Sequence, residues 1–280
     1  MYIECVVVCV NYADFLAHTL PHNKQHFDHM VVVTTPEDKD TQAVCNHYNV
    51  ECLITREMTS NGEPFNKGKG INVGLQYLSK RDWVVHIDAD IYLPPLTRGI
   101  LERISLDKNT IYGLDRMMCP TFEAWTEYIS KPKPTHTGWV YIHPTIFPMG
   151  VRIAEFMSEG YEPIGFFQMW HPNTSDVKLY PETHGAADRT DVLHAKKWPR
   201  KYRALIPEII AIHLDSEDLD LKEMGKNWNG RKTKMFGYSP VPPEPTSSSK
   251  IPWATIGWSL LAVAAGSGVA AALMTYPITL

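Results

Sequence analysis

Apolar residues fall along this chain in short blocks separated by polar stretches with helical spacing. Residues 3–10 are almost continuously apolar, as expected of a strand buried on both faces of a parallel sheet. A helical pattern follows over 14–27, a second apolar run over 29–34, a helix opened by acids over 36–48 and a third strand over 50–55. Residues 58–65 read as a polar loop. Asn66 then stands where a helix N-cap is expected, for a helix reaching to about residue 79, and an apolar strand starts at Trp83. Strand and helix in strict alternation predict an α/β, Rossmann-like architecture with a mostly parallel central sheet flanked by crossover helices. Further on, 111–118 reads as another strand and 121–128 as a short helix or loop. From 139 to 181 the pattern breaks into short aromatic-rich pieces suited to a substrate-facing half.

The end of the chain follows a different rule. No residue from 251 to 280 is charged, and about 20 such residues span a bilayer as a helix. Trp253 and Trp258 near one end and Tyr276 near the other match interfacial aromatics. Ala262, Gly266 and Ala270, with Ala264 and Gly268, are small residues four apart, which would allow helix–helix self-association. A buried core helix is the alternative. The preceding stretch, 239–250, is a Pro/Ser linker ill-suited to a compact core. The expected organisation is a folded body at 1–238 (halves 1–95 and 96–238), a linker at 239–250 and a C-terminal transmembrane anchor at 251–280. Lys250 and the basic residues upstream favour a body on the cytoplasmic side of the membrane.

The formal net charge of −4 argues weakly against non-specific nucleic-acid binding. Five scattered cysteines with no C-x-x-C spacing read as reduced thiols rather than a disulfide framework or zinc site. Met1 leads directly into the first strand, so no N-terminal secretory signal is expected.

Candidate chemistry concentrates at Ile87-Asp88-Ala89-Asp90. The stretch from Trp83 to Tyr92 reads as one apolar strand, whose side-chain alternation puts Asp88 and Asp90 on one face. Two such acids repel and are costly to desolvate together; a divalent cation, Mn²⁺ or Mg²⁺, relieves both problems. Ligands of open α/β sheets sit beyond the carboxyl ends of the strands, where this pair falls. His213, late in the apolar run 209–215, either completes the metal's ligand set or is a satisfied core histidine. Lys67 and Lys69 open a glycine-containing helix that either cradles a diphosphate or is a turn with solvated lysines. Asp188 and Asp191 start a further helix, as N-cap and N3 residue or as a carboxylate taking a proton from a hydroxyl. Lys226 and Arg231 lie in a basic Gly/Asn-rich loop able to close over phosphates or to remain a cationic surface.

In this order the motifs resemble those of nucleotide-sugar glycosyltransferases of the GT-A fold, family 2-like group, over about residues 1–236. Asp88-Ala89-Asp90 resembles that fold's D-x-D metal motif, and the acidic turn 34–41 after the second strand resembles its nucleoside-binding turn. Thr190-Asp191 is similar to the Glu-Asp helix start whose aspartate is the base in inverting members, with Thr190 replacing the usual glutamate. The Gln-x-x-Arg-Trp motif of processive polymer synthases is absent. The resemblance implies metal ligation by Asp88, Asp90 and His213. It also implies donor contacts from Asn11, Asp38, Asp40, Lys67, Lys69, Asp88, Lys226 and Arg231, and a base at Asp191 or, failing it, Asp188. A UDP-sugar donor fits best, with an acceptor on a membrane-associated lipid or glycan stacked on Trp139 and Trp170. Two alternatives stand beside this reading. One is a transferase acting on hydroxymethylated DNA bases, suggested by the basic cluster from Lys196 to Arg203. The other is an inactive membrane-tethered binder of sugar nucleotides or glycans.

Overall fold

Four apolar segments, β1 (Ile3–Val8), β2 (His29–Thr34), β3 (Glu51–Ile54) and β4 (Trp83–Ile87), pair in parallel in the order β3-β2-β1-β4. This is the expected parallel half. The computed structural model describes residues 1–63, 65–119, 121–130, 147–148, 161–172, 178–183 and 189–214. Met1–Pro242 form one unit; Pro243–Leu280 form a second, which lies outside the described residues together with the expected anchor. Among the described residues no helix is long and apolar enough to cross a membrane.

Beyond β4 the sheet becomes mixed. It gains β5 (Ile91–Tyr92), β6 (Ile111–Cys119), β7 (Phe147–Pro148), β8 (Phe167–Trp170) and β9 (Arg203–Leu214), and its order continues β4-β8-β6-β9-β5, with β7 on β6. β8 runs antiparallel to β4, Ile87 facing Phe167. β6 and β9 are parallel, and β5 is antiparallel to β9 with Ile91 opposite His213. The last strand begins at Arg203, well before the apolar run at 209. A register shift between Gly113 and Asp115 lets β6 and β9 stay paired across the added residues.

Helices cover both faces: α1 (Ala13–Asn23), α2 (Lys39–His47), α3 (Lys67–Tyr77), α4 (Thr97–Leu101), α5 (Phe122–Ser130) and α6 (Thr190–Ala195). Alternation along β1 divides the core. Ile3, Cys5 and Val7 pack with Phe15, Leu16 and Leu20 of α1; Val6 and Val8 pack with Ile71 and Leu75 of α3. Each fully buried side chain of this size contributes about 1.5–3 kcal/mol. A Cβ on Gly74 would stand 2.5 Å from Val6, so glycine is what lets α3 lie directly on β1. The charged residue in β1, Glu4, is fully buried and accepts bonds from the Ser79 N–H and hydroxyl (both 2.9 Å) and the Arg81 N–H (3.3 Å). It thereby satisfies the backbone that joins α3 to β4.

One expectation is corrected here. Residues 83–92 are not a single strand: β4 stops at Ile87, and Asp88–Asp90 form a turn before β5 resumes at Ile91. The Asp88 N–H bonds Phe166 O at 3.1 Å, and the Ile91 N–H bonds back to Asp88 O at 3.3 Å. Strand alternation therefore does not govern where the two carboxylates point.

Several buried imidazoles link the fold to pH. His26 is fully buried, and burial depresses its pKa to about 4. The unfolded chain binds this proton near the ordinary histidine value of about 6.5, so stability falls as pH drops from about 6.5 towards about 4. Burial lowers His86 and His194 in the same sense. We expect the unfolding free energy from urea titrations to decline over that interval, and His26→Leu to flatten the slope by about one proton's worth.

Candidate functional site

The site is built where β4 ends. Asn66 caps α3 by accepting the Lys69 N–H at 3.0 Å. That cap sets Lys67 at the first helical position, where its ammonium forms an ion pair with the Asp88 carboxylate. Burial works against the charged lysine, but Asp88, and with smaller effect Asp191 and Asp90, raise its pKa above the ordinary value. Burial likewise disfavours the charged Asp88, yet Lys67 and then His86 hold its carboxyl well below the usual range. His86 Nε2 lies 3.2 Å from Asp88 Oδ1, and its Nδ1 lies 3.2 Å from the Val6 carbonyl. A neutral ring has one proton for these two acceptors, so Lys67 is the principal counter-charge of Asp88.

Asp90 turns to a different partner. Its Oδ2 lies 3.2 Å from His213 Nε2, brought there by the pairing of β5 with β9. Its buried Oδ1 has no hydrogen-bond partner among the described residues, and neither has His213 Nδ1. Among the described residues no three His, Cys, Asp or Glu side chains gather tightly enough to hold a metal ion. The trio read from the sequence is thus a pair, Asp90 with His213, and Asp88 faces Lys67 beside it. The pair fits a divalent cation: an unsatisfied buried carboxylate oxygen and an imidazole offer two hard-to-borderline ligands, and Mg²⁺ or Mn²⁺ commonly draws the rest from waters and phosphates.

Asp191 approaches from the other side. α6 packs its first residue against α3: a Cβ on Gly68 would meet Thr190 Cγ2 at 3.0 Å and the Pro181 carbonyl oxygen at 2.2 Å. The Asp191 carboxylate accepts the Gly165 N–H, and Gly165 directly precedes Phe166, whose carbonyl takes the Asp88 N–H. Gln168 Nε2 bonds both Pro163 O (2.7 Å) and Asp191 O (3.0 Å), locking the 163–166 turn to the start of α6. The expected cap is corrected: the N-cap is Arg189, in a left-handed conformation (φ 57°), so Asp191 is the second helical residue. Asp188 lies outside the described residues, as do Lys226, Arg231 and Trp139.

Other candidates have structural work. Asp38 is 4% exposed and caps α2, accepting from Thr41 N (3.1 Å), Thr41 Oγ1 (2.7 Å), Thr34 Oγ1 (3.1 Å) and Asn11 N (2.7 Å). Asn11, held by that last bond, adopts φ 56° and ends β1's loop, while Asp40 sits in the first turn of α2. Lys69 is tied to Glu63 at 2.7 Å and Ser60 at 2.8 Å. The glycines of α3 serve close packing: Gly70 would clash with Met58 and Gly74 with Val6. Trp170 is 1% exposed, inside the core formed by α3 and α6 against the sheet, so the expectation that it stacks an acceptor is corrected. Its ring fills the gap among Tyr180, His194 and Trp198.

His86 carries no separate signal in the sequence, because its approach to Asp88 depends on the turn that follows Ile87. Sequence reading passes over it, and over Gly165 and Gln168, whose roles depend on contacts distant in the chain.

No family model and no curated protein matches the chain. Solved structures do. The chain is similar to glucosyl-3-phosphoglycerate synthase from Mycobacterium tuberculosis in complex with Mn²⁺, uridine-diphosphate-glucose and phosphoglyceric acid (14% identity, 41% of this chain and 43% of that chain, TM-score 0.33). It is similar to the same synthase with Mg²⁺ and uridine-diphosphate (18% identity, 41% and 43% coverage, TM-score 0.31). A mycobacterial protein matches at 13% identity over 76% of this chain and 65% of that chain, with TM-score 0.42. The chain spans under half the length of the synthase chains it matches.

Gly165 gives the sharpest structural test. A Cβ there would stand 2.6 Å from both Cβ and Oδ2 of Asp191. Gly165→Ala should therefore displace α6's first turn and destabilise the fold by about 1–3 kcal/mol, read by urea denaturation; an unchanged midpoint would mean that Asp191 is not held against this turn.

Proposed function

We propose that this chain is a metal-dependent glycosyltransferase that moves a sugar from a nucleotide-sugar donor to an acceptor hydroxyl. The observation that carries this reading is the convergence of Lys67, Asp88, Asp90 with His213, and Asp191 at the carboxyl end of β4. A diphosphate leaving group needs positive charge near its oxygens, an acceptor hydroxyl needs a base, and this cluster supplies groups for both.

Asp90 and His213, with Asp88 beside them, would hold Mn²⁺ or Mg²⁺. When bound, such an ion acts as a Lewis acid and offsets charge developing on the diphosphate. Lys67 adds a fixed ammonium whose raised pKa keeps it charged across the physiological range. Asp191, oriented by the Gly165 N–H and the Gln168 bond to its backbone, takes the acceptor's proton. The hydroxyl oxygen then forms the new bond to the anomeric carbon while the bond to the diphosphate breaks. Attack from the face opposite the leaving group inverts configuration.

Asp38 is read in this scheme as the anchor of the β1 and β2 loops that would face a nucleoside, through its bonds to Asn11 and Thr41, rather than as a direct ligand. A UDP-sugar remains the donor of choice, and the uncharged stretch 251–280 supports an acceptor on a membrane-associated lipid or glycan, with the enzyme on the cytoplasmic side.

Thermal shift on the full chain with UDP-, GDP-, CMP- and dTDP-sugars, each with Mn²⁺ and with EDTA, tests the donor site. A donor at about 100 times its Kd stabilises the folded state by about 2.7 kcal/mol, so one nucleotide should raise the midpoint only with metal, and Asp90→Ala should abolish the rise. The same midpoints with and without Mn²⁺ would reject the metal assignment. Asp191→Asn should keep the donor shift and lower transfer roughly a hundredfold to ten-thousandfold; a fully active variant would remove Asp191 as the base.

A further inference from the structure

The surface that carries α6 differs in charge from the chain as a whole. The formal net charge is −4, yet Lys197, Arg200 and Lys201 are exposed side by side, with Lys178 against them. Burial and then the nearby Lys178 ammonium lower the pKa of Lys197, a sign of crowding between like charges. The neighbouring Lys196 and Arg203 are drawn instead to the buried Glu162, at 4.0 and 2.8 Å. Among the described residues no carboxylate forms an ion pair with Lys178, Lys197, Arg200 or Lys201.

The same surface exposes two leucines. Leu179 and Leu193 are each 38% exposed, and they belong to adjoining segments: the Lys197 ammonium donates to the Leu179 carbonyl, and His194 Nε2 lies 2.6 Å from the Lys178 carbonyl. Exposed cations and exposed leucines therefore lie on adjoining segments.

We propose that this face docks on the headgroup layer of an anionic phospholipid bilayer. Lipid phosphates answer the cations that form no ion pair with a described carboxylate, and the adjoining acyl boundary takes the leucines. A nucleic-acid backbone would meet the charges but offer the leucines no apolar phase. Nor are ring faces open for base stacking: Trp198 is 4% exposed with the Lys178 ammonium 4.2 Å from its centroid, and Lys201 lies 4.8 Å from that of Tyr202. Each basic residue near an anionic surface strengthens partitioning about fivefold. The proposal rests on charge and exposed apolar surface, independently of the transferase reading.

Hydrogen exchange on the full chain tests it, with vesicles of phosphatidylcholine alone or mixed with phosphatidylglycerol. Peptides covering 189–202 should exchange more slowly with the anionic vesicles, the difference should fade in high salt, and Arg200→Glu with Lys201→Glu should abolish it. If that double variant loses its thermal midpoint, Arg200→Gln with Lys201→Gln serves the same purpose and should weaken the protection. Equal exchange with both vesicle types, protection that survives the charge changes, or stronger protection of these peptides by duplex DNA than by anionic vesicles would overturn the proposal.

Discussion

The Lys67–Asp88 ion pair is the contact on which the candidate site depends. Asp88 terminates the central strand, and Lys67 opens the helix that lies on that strand. A partly buried carboxylate is costly to leave unpaired. Everything that fixes Lys67 therefore also protects the charged state of Asp88. The Asn66 cap starts α3 at the correct residue. Asn72 then ties the helix to the 180–182 segment, accepting the Tyr180 N–H at 2.7 Å and donating to Glu182 at 2.7 Å.

Close packing extends that constraint to the third carboxylate. Gly68 allows α3 to approach the Pro181 carbonyl and Thr190, and Gly165 allows its own turn to approach Asp191. Two glycines far apart in the chain thus do one job: they bring the starts of α3 and α6 to the end of β4. Because protein interiors fill space densely, a methyl group at Gly68 would push on the Pro181 backbone and Thr190, and one at Gly165 on the Asp191 side chain. Gln168 adds direction, since its amide reaches both the Pro163 and the Asp191 carbonyl.

How much of this was legible in the sequence follows from the range of each interaction. The parallel half of the sheet and the Asn66 cap are written in local patterns, and the structure has them there; the strand expected to run on through Asp88-Ala89-Asp90 is broken after Ile87. The turn at Asp88 is not local: it forms because β8, some 80 residues later, pairs with β4 only up to Ile87. Trp170 shows the same limit. An aromatic residue in an irregular stretch reads equally as a binding platform or as core, and only its packing against Tyr180 and His194 decides for core. The expectation of a donor contact at Asp38 rests on the resemblance of the acidic turn 34–41, not on a local pattern. The carboxylate's four bonds from Asn11, Thr34 and Thr41 make it a cap, the role that an acid before a helix most often has.

Charge balance gives the strongest physical reason to place a cation at this site. Asp88, Asp191 and Asp90 all act on Lys67 through their charge, so among the described residues of this cluster three carboxylates stand against one ammonium. A diphosphate entering such a cluster would add negative charge where the protein already has an excess. In a partly buried site that repulsion is poorly screened, and Lys67 is already committed to Asp88. A divalent ion at Asp90 and His213 is the smallest addition that brings the described cluster to balance. The unpartnered Asp90 oxygen marks where it would bind. Under the proposed function, the excess of carboxylates would make metal and diphosphate favour each other's binding.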